Sequence, residues 1–105
     1  MNHPKNVQIG GNNFSVQLIG GISTNCECEH FADFFVQKGE IRIAALCPDG
    51  TTRCLDFLNQ SLWHEYLEAI KEVYKINIEQ DDMDRIAQGI VQILSQSGIK
   101  LIRED

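Results

Sequence analysis

Residues 81–98 read DDMDRIAQGIVQILSQSG, and this stretch decides the fold class. Met83, Ile86, Ala87, Ile90, Ile93 and Leu94 recur at helical spacing, which predicts a helix with one buried apolar stripe. Asp81 or Asp82 is placed to cap its start, and Asp84 adds negative charge to the first turn, where the helix dipole favours it. Gly98 falls where a left-handed residue ends a helix. Gly89 inside the stripe costs about 1 kcal/mol against Ala and leaves room for close approach of another element. Beyond it, Ile99-Lys100-Leu101-Ile102 predicts a short final strand.

Toward the N-terminus a second helical period precedes the first. Trp63, Tyr66, Leu67, Ile70, Val73 and Tyr74 form its stripe, with Ser61 as the expected N-cap. Glu68 and Lys71 are spaced to pair on its outer face.

Before residue 59 the pattern changes to strands and turns. Val7–Ile9 and Phe14–Leu18 flank Gly10-Gly11-Asn12-Asn13, residues that tolerate positive φ, and predict a β-hairpin. Residues 23–30 are polar and predict a loop, Phe31–Val36 a strand, residues 37–40 a turn, and Ile41–Leu46 another strand. Cys47-Pro48-Asp49-Gly50-Thr51 is a turn sequence, with Arg53–Leu58 as the returning strand. A regular hairpin about that turn would set Cys47 opposite Cys54 and Leu46 opposite Leu55. Strands followed by helices define an α+β fold: an antiparallel N-terminal sheet packed by two amphipathic helices, with a short final strand.

The 105 residues, 43% hydrophobic and 23% charged, suit a single globular domain spanning 1–105. A chain of this length buries roughly two-thirds of its unfolded surface. The polar opening residues and the lack of an apolar run near the roughly 18 residues a membrane span needs point to a cytoplasmic protein with reduced thiols. In that compartment the glycosylation sequon Asn59-Gln60-Ser61 is silent. The net charge of −6 argues against nucleic acid as a partner, since phosphate contacts need clustered Lys and Arg. Carboxylates concentrate between Glu65 and Asp84, which suits a solvated helix face first and a surface for a basic protein partner second.

Four cysteines raise a metal question. Cys26, Cys28, Cys47 and Cys54 supply two pairs for a tetrahedral zinc site, with His30 as a substitute, but the C-x-C and C-x₆-C spacings are not those of zinc knuckles. Small buried or loop thiols account for them better. A Cys–His nucleophile from Cys26 or Cys28 with His30 or His64 lacks the surroundings of known cysteine hydrolases. Gly10-Gly11 and Gly20-Gly21 are turns and not phosphate loops, because no helix start or Lys follows. The carboxylates Glu79 to Asp84 lack the calcium-loop pattern and suit helix capping. Trp63, Tyr66 and Tyr74 lie on the stripe and are expected mainly in the core; with Glu65, Glu68 and Glu72 beside Trp63 and Tyr66, the first helix is also the candidate partner surface.

The block Ile78-Glu79-Gln80-Asp81-Asp82-Met83-Asp84-Arg85-Ile86 through Gln96-Ser97-Gly98-Ile99-Lys100-Leu101-Ile102 resembles the C-terminal end of small immunity proteins from bacterial polymorphic-toxin systems. Those close with an acidic helix start, an Ile-rich helix, a Gly and a short apolar strand. The resemblance covers about a third of the chain and implies stoichiometric inhibition of a partner toxin, with no catalytic residues and no cofactor. The other expectation is a small zinc-stabilised accessory domain using the four cysteines.

Overall fold

The computed structural model describes residues 1–20, the backbone of 32–35, and residues 39–47 and 49–104. The chain runs β1 (Asn6–Ile9), β2 (Asn12–Ile19), β3 (Ala32–Phe35), β4 (Glu40–Ala44), α1 (Leu55–Tyr74) and α2 (Gln80–Gln96). Strands precede helices, as the α+β expectation required. The predicted loop at 23–30 lies outside the described residues.

The first hairpin forms as its glycines dictate. Gly10 and Gly11 hold φ of 57° and 86°, the two positive angles of the tight turn whose twist matches paired strands. Ile9 pairs with Asn12 and Val7 with Phe14. Gly10 has a second reason to be glycine: a Cβ there would lie 2.5 Å from Cγ1 of Val73, so the turn sits directly on the end of α1. β3 and β4 make a second antiparallel pair.

The sheet corrects one expectation: it is mixed, not wholly antiparallel, in the order β1-β2-β4-β3. The two hairpins join through their second strands, and β2 and β4 run parallel, with Val16 beside Ile41 and Leu18 beside Ile43. Burial explains the order. Phe14, Val16, Ile41, Ile43 and Ala44 are all buried, which fits the central place of β2 and β4.

The turn at 47–51 is present, but the strand expected after it is not. Gly50 donates to the carbonyl of Cys47 (2.9 Å) and Cys47 to that of Thr51 (2.7 Å). Asp49 Oδ1 accepts from the hydroxyl of Thr51 (2.6 Å) and from its backbone N–H (2.9 Å). These two bonds, the hydroxyl's first, hold the Asp49 carboxyl below its usual pKa. The return is limited to one bridge, Leu46 with Thr52, and to Arg53 N–H donating to Ala45 (2.9 Å). Cys47 thus lies across from Thr51, not Cys54, and Leu46 across from Thr52, not Leu55. Cys54 is the N-cap residue of α1, in place of Ser61, which lies a turn and a half inside the helix.

The helix starts early because its true stripe starts early. Leu55, Leu58, Leu62, Tyr66, Ala69 and Val73 recur every three or four residues and pack into one core with Ile9, Phe14, Ile41 and Ile43. Leu55 and Leu58 are too few to show a period by themselves, which is why they mimic a strand in isolation. Tyr74, placed on the stripe by its spacing, is 58% exposed. Lys75 closes α1 in the left-handed conformation.

α2 packs mainly on α1. Its N-cap is Glu79, with Asp81 and Asp82 in the first turn and not at the cap. The expected buried stripe is narrower than its spacing suggested. Met83 and Ala87 are fully buried, whereas Ile86 is 41% and Ile93 67% exposed. A single neighbouring helix covers only a narrow strip, so the flanks stay open. Gly98 (φ 74°) ends the helix as expected: its N–H donates to Ser95, and that of Ile99 to Leu94.

Residues 99–102 do not form the expected strand. Their backbone groups go to a side chain instead. Asn59, buried on α1, accepts from the N–H groups of Leu101 (3.0 Å) and Ile102 (2.9 Å) through Oδ1. Its Nδ2 donates to the carbonyls of Ile102 and Leu55, each at 2.9 Å. One amide thus does the work of a strand edge and seats Ile102 in the core. Arg103 then forms a single antiparallel bridge with Asn2.

Candidate functional site

The five residues expected on the partner surface separate into three settings. Trp63 and Tyr66 pack edge to face, with centroids 5.4 Å apart at 85°, and Tyr66 is buried along with Glu65. Burial pushes the Tyr66 phenol up to about 12. Glu68 sits in the seam between the helices, where it accepts from Nε2 of Gln80 and lies 3.8 Å from Nε2 of His64. The other ring nitrogen of His64, Nδ1, lies 2.8 Å from Oδ1 of Asp84. His64 is therefore not a free surface group. Together these side chains tie the middle of α1 to the start of α2. Only Glu72 of the five is exposed.

Glu72 belongs to a different assembly, at the end of the molecule where α1 stops. A groove of about 320 Å³ opens there between the first hairpin and α1, lined by Asn12, Asn13, Gly39, Glu72 and Lys75 among others. Gly39 (φ 63°) keeps it open on the sheet side, since a Cβ would come within 3.1 Å of the Asn13 carbonyl. Beside it Tyr74 and Ile76 are 58% and 44% exposed, and the exposed carboxylates of Glu79, Asp81 and Asp82 follow in the chain. Exposed apolar residues in a stretch of chain rich in exposed carboxylates, with Lys75 between them, have the composition of an interface anchor and its polar rim.

The sequence held no signal that separates the neighbours Val73 and Tyr74 at this end: Val73 packs against the core, whereas Tyr74 is 58% exposed.

Of the four cysteines, Cys26 and Cys28 lie outside the described residues, as does His30. Cys47 is half-buried and Cys54 exposed at the start of α1, and the two do not face each other across a hairpin. Among the described residues no three His, Cys, Asp or Glu side chains are grouped to hold a metal ion, and no helix is long and apolar enough to cross a membrane.

No protein-family model, curated protein or solved structure matches the chain.

Proposed function

We propose that this chain is a non-enzymatic protein-binding module for a basic partner, and that it acts as an immunity protein inhibiting a toxin. The observation that supports this reading is the stretch at the end of α1, where exposed Tyr74 and Ile76 lie close in the chain to exposed Glu72, Glu79, Asp81 and Asp82, with Lys75 between them. Charge there raises the encounter rate with a basic protein, and the aromatic anchor slows release. The net charge of −6 extends the same attraction over the whole surface.

The test pairs the chain with the product of the gene beside its own, because immunity genes neighbour toxin genes. Titration calorimetry should show a one-to-one complex with loss of the toxin's activity. Glu72→Lys combined with Asp82→Lys should lower the association rate at low salt by roughly tenfold, and Tyr74→Ala should speed dissociation by a similar factor. A tight complex indifferent to all three changes would move the interface elsewhere. No complex with either neighbouring product would remove the immunity role.

A further inference from the structure

We propose that the groove between the first hairpin and the end of α1 binds a small zwitterion, a free α-amino acid with an apolar side chain. The site needs no protein partner, so it stands or falls separately from the function proposed above.

Three observations converge on the groove. The first is its charge. Glu72 and Lys75 both line it, yet among the described residues neither has an ion-pair partner, the other included. Opposite charges three apart pair along a helix, but Lys75 has left the helical conformation. The second observation is that departure itself. Lys75 holds φ of 58° and ψ of 46°, and among the described residues it is the one non-glycine with a positive φ. α2 ends in the same region with Gly98, the residue type that adopts it without steric cost. What lysine adds in place of glycine is a side chain, and Lys75 lines the groove. The third is the remaining lining. Nδ2 of Asn12 reaches only the Ile9 carbonyl, at 3.5 Å, and Nδ2 of Asn13 only Asn6 Oδ1, at 3.4 Å. Bonds of that length are weak, so both amides can turn to a ligand. Phe14 and Val73 supply an apolar wall.

Charge and size select the occupant. A phosphate would meet Glu72, and a polyamine would meet Lys75. An uncharged ligand would take water from both ions and pair with neither. A free amino acid satisfies both. Its carboxylate accepts from Lys75 Nζ and an asparagine amide, its ammonium donates to Glu72, and its side chain lies along Phe14 and Val73. The groove, about 320 Å³, stands at the small end of ligand pockets, roughly 300–1,000 Å³, which suits a molecule of that size. Glu72 and Lys75 stay exposed to solvent, which screens them, so the affinity should fall in the millimolar range.

Titration of the whole chain with L-leucine, followed by amide signals in nuclear magnetic resonance, tests the site. Those of Asn12, Asn13 and Lys75 should shift and saturate. The same skeleton without its ammonium, 4-methylpentanoate, or without its carboxylate, 3-methylbutylamine, should bind about tenfold more weakly, each lacking one charged contact. Glu72→Gln should cost leucine about the same factor. Lys75→Gly separates a binding lysine from a mere helix end: it should raise the melting temperature yet weaken leucine binding about tenfold. No saturable shift with leucine overturns the proposal. So do analogues that bind as well as leucine, or a Lys75→Gly chain that keeps wild-type affinity.

Discussion

The two helices differ in how much of their surroundings is protein, and the difference inverts their appearance in the sequence. α1 has the untidier pattern, with Asn59, Glu65 and Tyr66 among its buried residues. It is nevertheless the centre of the fold, facing the sheet, α2 and the tail. α2 has the cleaner apolar stripe, but only Met83 and Ala87 are buried. A helix covered on several sides needs polar groups that reach particular partners, and these break up its periodicity. A helix resting on one neighbour keeps its periodicity even where the stripe is half open.

A substitution in the enclosed helix should break the contrast most visibly. Leu62→Ala on α1 should cost about 2–5 kcal/mol, the range for a buried leucine, read from the urea midpoint. An effect below about 1 kcal/mol would mean that α1 is not enclosed as described. Asn59→Ala comes next, at about 2–3 kcal/mol, because it leaves the backbone groups of Leu101 and Ile102 buried without partners. Asn59→Asp should not rescue it, since the carboxylate has no N–H to offer the Ile102 carbonyl.

Tyr66 sharpens the comparison through pH. Its folded pKa is raised, so its contribution to stability is complete below the unfolded value of about 10 and changes as pH rises toward 12. Over that window the unfolded chain loses the phenol proton while the folded one keeps it, and stability falls. Tyr66→Phe should therefore flatten the fall in denaturant midpoint above about pH 10. An unchanged slope would show that the phenol is not buried in solution. The smallest effect belongs to α2. In dilute protein Ile86→Ala should shift stability by less than about 1 kcal/mol, while Met83→Ala, three residues earlier, costs about 2–4 kcal/mol. Equal losses at the two positions would mean that α2 is covered on its flank.

Turns and helix ends were the legible parts of the sequence, because single residues decide them. Gly10-Gly11 and Gly98 mark a turn and a helix stop through positive φ alone, and both are where the sequence placed them. Residues 53–58 and 99–102 were not legible, for a common reason. Each is a short apolar run whose conformation depends on what lies opposite. Leu55 and Leu58 read as strand until Leu62 and Tyr66 extend the same stripe. Ile99–Ile102 reads as strand until a side chain 43 residues earlier takes its hydrogen bonds. The parallel pairing of β2 with β4 has no local signature at all. At the candidate site the carboxylate-rich region was visible in the charge distribution. Which aromatic stands outside it was not, because the period placed Trp63, Tyr66 and Tyr74 on one stripe and only the packing of Val73 on Gly10 separates them.

The Asn59 clasp has a consequence for how the protein is made. During synthesis α1 is made before residues 101–103, and until these are added its Asn59 amide and the seat of Ile102 lack their partners. Neither the hairpins nor α1 can supply that contact from what precedes them. Docking of these residues must therefore come last, and native stability should appear in one step once they emerge. A released chain truncated before residue 101 should be open to protease along α1, whereas one that includes residue 103 should be resistant.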